Sequence, residues 1–151
     1  MIKSLKVKTL FLFAALFGSV GLFAQNANVS DAELGKFANA YLTLQQLNHQ
    51  AEQEMVAIIE KEGMKPDRFG EIEKAAMANQ ESNASAAEMA MHDKAMAKIE
   101  QMQPELERKA KEGIEAKGLT FDRFKEIAAV IQQDQSLQQR LQDIFMKNQG
   151  K

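Results

Sequence analysis

From Leu34 onward the apolar residues fall at Leu34, Phe37, Tyr41, Leu44, Ala51, Met55 and Ile58, in steps that keep one face of a helix apolar. Asn48 alone interrupts this stripe. Ser30-Asp31-Ala32-Glu33 has the form of a capping box, in which hydroxyl and carboxylate each satisfy an orphan backbone donor. The pattern predicts a helix to Glu62, stopped by Gly63, because glycine accepts the left-handed conformation beyond a helix end without steric cost. A second helix is predicted from Pro66 to about Gln80, with Phe69, Ile72 and Ala76 inward. A second capping box, Ser85-Ala86-Ala87-Glu88, opens a third stripe through Met89, His92, Met96, Ile99, Met102, Leu106 and Ala110 to Lys117, ended by Gly118. Pro104 lies inside it and is expected to kink or split the helix. The last stripe, from Phe121 to about Met146, holds Phe124, Ile127, Val130 or Ile131, Leu137, Leu141, Ile144 and Phe145, with a candidate break at Asp134-Gln135-Ser136. One-sided helices must bury their stripes on one another, so the expected fold is all-α. The expected architecture is a four-helix antiparallel bundle of two repeated hairpins, with five helices if one is broken. The alternative is a pair of extended hairpins that complete their core as a dimer.

The two joints are copies of one another. Residues 59–72 and 114–127 align at an offset of 55 residues, and eight of these 14 pairs are identical. The repeats run over about 30–81 and 85–147. Gly63, Asp67, Arg68 and Phe69 recur as Gly118, Asp122, Arg123 and Phe124. Met64 with Phe69, and Leu119 with Phe124, have the spacing of a hydrophobic staple. Thr120 can cap its helix and Lys65 cannot, so the first joint is expected to be the weaker. Asp67 and Asp122 sit in first turns, where the helix dipole favours negative charge. Arg68 with Glu71, and Arg123 with Glu126, are i,i+3 neighbours. These eight joint residues are read as structural rather than as an active-site signature.

The N-terminus changes the compartment expected. Lys3, Lys6 and Lys8 precede an apolar run from Leu10 to Phe23, closed by Ala24, in the order of a secretory signal. The run is shorter than the roughly 20 residues of a membrane-spanning helix. Residues 1–24 are therefore expected to be removed, leaving 25–151 as one helical domain. No cysteine follows the run, so a lipid anchor through a modified Cys is excluded. The expected location is the periplasm of a Gram-negative envelope, or the exterior. Without the three leader lysines the chain carries 16 basic against 21 acidic residues, net −5, which disfavours nucleic acid and anionic membranes as partners. The basic run Arg108-Lys109-Ala110-Lys111 is read as a solvated helix face. Zero cysteines exclude disulfides, thiolate metal sites and cysteine nucleophiles.

Catalytic patterns are sparse. The chain lacks a Gly-rich phosphate loop and a serine-nucleophile elbow, and its only histidines are His49 and His92. The one cluster with candidate chemistry is Met89, Met91, His92 and Met96. Thioether sulfur and imidazole suit copper, and Met89, His92 and Met96 share a helical face. The same residues also serve as ordinary core filling, for which methionine is well suited. Gln132, Gln133, Gln135, Gln138, Gln139 and Gln142 crowd the last helix as a solvated or partner-facing surface.

The run Ser30-Asp31-Ala32-Glu33-Leu34-Gly35-Lys36-Phe37-Ala38-Asn39-Ala40-Tyr41 resembles the start of the bacterial domain of unknown function 4168 family. Residues 118–127 and the run Gln132-Gln133-Asp134-Gln135-Ser136-Leu137-Gln138-Gln139-Arg140 are similar to its end. Family members often have Pro after the Gln-Asp pair, where this chain has Gln135. The resemblance implies an exported helical protein and supplies no activity. The expected function is thus a non-enzymatic envelope interaction module, an adaptor or holdase, without a cofactor. It would act on other envelope proteins, as monomer or homodimer. A small copper-binding protein centred on Met89, His92 and Met96 is the alternative.

Overall fold

The computed structural model describes residues 28–149, so the leader lies outside the described residues. The described chain is all-helical, without strands: α1 Asp31–Lys61, α2 Pro66–Met77, α3 Ala86–Glu115, α4 Phe121–Gln133 and α5 Gln135–Gln149. No helix among the described residues is long and apolar enough to cross a membrane.

Both capping boxes form. Ser30 Oγ accepts from the Glu33 backbone N–H at 3.2 Å, and the Glu33 carboxylate accepts from the Ser30 N–H at 3.1 Å. Ser85 and Glu88 repeat this at 3.2 and 2.8 Å. Gly63 and Gly118 both take positive φ, 89° and 82°, and so end α1 and α3. Thr120 accepts from the Arg123 N–H, whereas Lys65 makes no side-chain cap, as its chemistry dictates. α3 runs unbroken through Pro104. The last stripe does break, at Asp134, whose Oδ1 accepts from the N–H groups of Ser136 and Leu137 at 2.8 and 3.2 Å. Aspartate supplies the cap that restarts the chain as α5, without a proline.

The described chain forms two compact units, each drawing on both repeats. His49–Leu106 takes the end of α1, all of α2 and most of α3. The second unit takes described residues 28–48 and 107–149: the start of α1, the end of α3, α4 and α5. Each unit therefore contains the end of one long helix, a glycine turn, a short helix and the start of the other long helix. The first core holds Ile59, Met64, Phe69, Ile72, Ala95, Met96 and Ile99. The second is larger and includes Leu34, Phe37, Leu44, Ile114, Leu119, Phe124 and Ile127. Two inward assignments change on α2. Ala76 is exposed, and Glu73 turns inward instead, only 1 % exposed.

The repeated arginines do more than pair along their own helices. Arg68 Nε donates to Glu88 at 2.8 Å, Nη1 to Glu71 at 2.8 Å, and Nη2 to the Asn83 carbonyl at 3.2 Å. Arg123 makes the same fork to Glu33 at 2.9 Å, Glu126 at 3.0 Å and the Asn28 carbonyl at 3.3 Å. Each acceptor stands 55 residues from its counterpart. Each short helix is thereby tied to the capping box that starts the other long helix of its unit. The Arg68 hydrogen bond, followed by those from Ser85, holds the Glu88 carboxyl at about 2, below its ordinary 4.5. Ser30, then Arg123, lowers Glu33 in the same sense.

A carboxyl whose folded value is depressed stabilises the fold above its unfolded value and loses that contribution as pH falls. Stability should therefore drop between about pH 4.5 and 2, and Glu88→Gln should flatten that part of a denaturation–pH profile. Gly63→Ala should destabilise by about 1–2 kcal/mol because of the left-handed backbone. Gly70→Ala, inside α2 with open space around its Cβ, should stabilise by roughly 1 kcal/mol; thermal melts of both variants check the pair.

Candidate functional site

The chemistry of the His49–Leu106 unit gathers where α2 crosses α3. Pro66 starts α2, and the Arg68 fork fixes its roll, so Phe69 and Glu73, one turn apart, point into the unit. Phe69 stacks on the His92 ring, centroids 4.8 Å apart. His92 Nε2 and Glu73 Oε1 are joined by a 2.6 Å hydrogen bond, with side-chain exposures of 8 % and 1 %. The other imidazole nitrogen, Nδ1, lies 3.3 Å from Asp93 Oδ1 at the exposed edge. Glu73 Oε2 is buried and has no hydrogen-bond partner among the described residues.

All four residues of the candidate copper cluster lie in this unit. Met96 is buried within it, while Met89 and Met91 pack against its edge. Met91 Sδ also lies against the Gly63 turn. Ser82 Oγ reaches Met89 Sδ at 3.8 Å. The imidazole nitrogen that faces inward is engaged by Glu73. Among the described residues no three His, Asp or Glu side chains are grouped to hold a metal ion. His49 is exposed and meets Gln53 at 3.0 Å. The joint residues Gly63, Asp67, Arg68 and Phe69 lie in this unit, and Gly118, Asp122, Arg123 and Phe124 in the other. Asp67 and Asp122 are both exposed, and Asp122 pairs with Lys125 at 2.9 Å.

The repeat serves as an internal control for the buried pair. At an offset of 55, His92 corresponds to Phe37 and Glu73 to Ala128, both buried. Phe37 stacks on Phe124 at 4.6 Å, as His92 stacks on Phe69. One core position is thus filled by carbon in one unit and by an imidazole–carboxyl pair in the other. That substitution was visible in the sequence once the two copies were set side by side; the helical stripe alone hides it, because His92 falls in register and Glu73 reads as surface.

Beside this pair the unit opens to solvent in an apolar cavity of about 220 Å³. Met55, Val56 and Ile59 of α1, Phe69 of α2, and Met96 and Ile99 of α3 line it. Pro66 and Gly70 form its low wall, and Glu52 lies at its border. Val56 is 40 % exposed. A groove of this kind has no signature in helical periodicity, since it depends on the space left between residues of three helices distant along the chain.

A family model described as Domain of unknown function (DUF4168) matches residues 30–141. The chain belongs to this DUF4168 family. Searches of curated proteins and of solved structures found no match. The matched span of this DUF4168 member includes Arg68 and Arg123 with their carboxylate partners, the His92–Glu73 pair and the groove, and leaves out Asn28.

Replacing one partner of a buried pair strands the other, whereas replacing both with apolar groups is often neutral. His92→Phe alone should destabilise by about 3 kcal/mol. Adding Glu73→Ala, which copies the Phe37/Ala128 arrangement, should recover most of that loss in chemical denaturation.

Proposed function

We propose that this DUF4168 member is an exported, non-enzymatic protein that holds apolar segments of other envelope proteins, as an adaptor or holdase. The apolar groove of the His49–Leu106 unit carries this reading. Methionine side chains from two helices line it, and flexible thioethers can mould to varied apolar side chains. The occupant is a partner polypeptide presenting bulky apolar residues. The basic-then-apolar leader supports export, and a net acidic chain supports protein rather than nucleic acid as partner. The same reading takes the two repeated hairpins to form a four-helix antiparallel bundle with its last helix broken, supported by the duplicated glycine joints.

The full chain should slow aggregation of a reduced, unfolding client at stoichiometric ratios, followed by light scattering. Val56→Lys, a charge placed in the groove at an already exposed position, should remove most of that protection while leaving helical ellipticity unchanged. Equal protection by wild type and variant would reject the groove as the working surface.

A further inference from the structure

Sulfur is divided unequally between the two units. Seven of the nine methionines fall within residues 49–106, and among the described residues the second unit holds only Met146. At the 55-residue offset Met64, Met89 and Met102 stand against Leu119, Leu34 and Leu47. Positions that one unit fills with hydrocarbon are thus filled in the other with thioether. The chain has no cysteine, so thioether is its only oxidisable sulfur.

These sulfurs are not equally placed. Met77 closes α2 and is 58 % exposed, so an oxygen added there disturbs no core. Met64 and Met96 are buried within the core and shielded. Met91 is half-buried, with its Sδ 3.7 Å from where a Cβ on Gly63 would lie. Its counterpart, Lys36, lies against Gly118 at 3.4 Å by the same measure. A polar tip therefore fits this glycine turn, and oxidation of Met91 leaves the turn undisturbed. Met89 combines access with consequence. It is half-buried and packs against the core of Ile59, Phe69, Ile72 and Ile99, and Ser82 Oγ stands 3.8 Å from its sulfur. Its counterpart Leu34 is wholly buried in the other core, which marks the position as one that takes an apolar side chain.

We propose that Met89 is an oxidation site, converted by hydrogen peroxide to its sulfoxide, and that this modification loosens the His49–Leu106 unit while the second unit keeps its packing. A lone pair on Sδ attacks one peroxide oxygen, and the S–O bond forms as the O–O bond breaks. The departing hydroxide takes the proton left on the transferred oxygen and leaves as water. Sulfur loses two electrons and the peroxide gains them. Ser82 Oγ, already against this sulfur, then donates to the sulfoxide oxygen, a stronger acceptor than a thioether. A polar sulfoxide at the core's edge gives up the apolar contacts of the thioether. Glu88, one residue earlier, accepts from both the Ser85 N–H and Arg68 Nε, so displacement at Met89 reaches the tie that sets the roll of α2. The site stands whether or not the unit binds other proteins.

The test treats the full chain with hydrogen peroxide and follows it by site-resolved peptide mass and isoleucine δ1-methyl spectra. Met89 sulfoxide should form about tenfold faster than Met96 sulfoxide. As it forms, the Ile59, Ile72 and Ile99 methyls should shift or broaden, while those of Ile114 and Ile127 stay in place. Met89→Leu, which copies Leu34, should keep its circular dichroism and hold its isoleucine spectrum at the same dose, although Met77 and Met146 are still oxidised. Met77→Leu/Met146→Leu should respond as the unaltered chain does. Oxidation of Met89 no faster than of Met96 would overturn the site. Its loosening role falls if Met89→Leu loses its Ile59 and Ile72 signals at the same dose. It falls equally if Ile114 and Ile127 change in step with them, or if Met89 is fully oxidised and no methyl moves.

Discussion

Each short helix can press its phenylalanine into a core only if something fixes its rotation against the long helix beside it. Arg68 and Arg123 do this with the same three-way fork, reaching an acid on their own helix, the capping-box glutamate of a long helix, and a carbonyl just before it. These are charge-assisted bonds in a half-buried setting, stronger and more directional than an exposed i,i+3 pair. They join a turn, a cap and a core contact that are distant along the chain. The glycine turns bring the helices round; the forks decide which face goes in.

Duplication explains why the two forks agree and why their surroundings do not have to. Once each unit holds the end of one long helix and the beginning of the other, the joint must keep its geometry in both. The face beyond the joint is under no such constraint. In the second unit that face carries Tyr41, Phe121 and Lys125, with the Lys125 ammonium over the Phe121 ring. In the first it is left low and apolar by Pro66 and Gly70.

The buried His92–Glu73 pair belongs to the same divergence. A stacked aromatic pair suffices at this position, as Phe37 and Phe124 demonstrate. Imidazole keeps the stacking on Phe69 and adds a hydrogen bond to a carboxyl whose other oxygen has no hydrogen-bond partner among the described residues. Such a pair contributes little net stability against well-packed carbon, but it makes the core intolerant of losing either member. It also engages the only histidine of the candidate copper cluster within the core.

The all-helical class was legible in the sequence from its stripes, and both capping boxes, both glycine stops and the unequal caps at Lys65 and Thr120 were legible because each depends on residues within one turn of the chain. The restart at Asp134 was legible as a candidate for the same reason. The 55-residue repeat also held the His92–Phe37 and Glu73–Ala128 contrasts, though a stripe-by-stripe reading passes over them. Only the tertiary structure decided that compact units would draw on both repeats, that the arginines would reach the other long helix's cap, that Glu73 rather than Ala76 would turn inward, and that the first unit would open in an apolar groove. Those outcomes depend on which distant surfaces meet, and a helical period carries no record of what lies across from it.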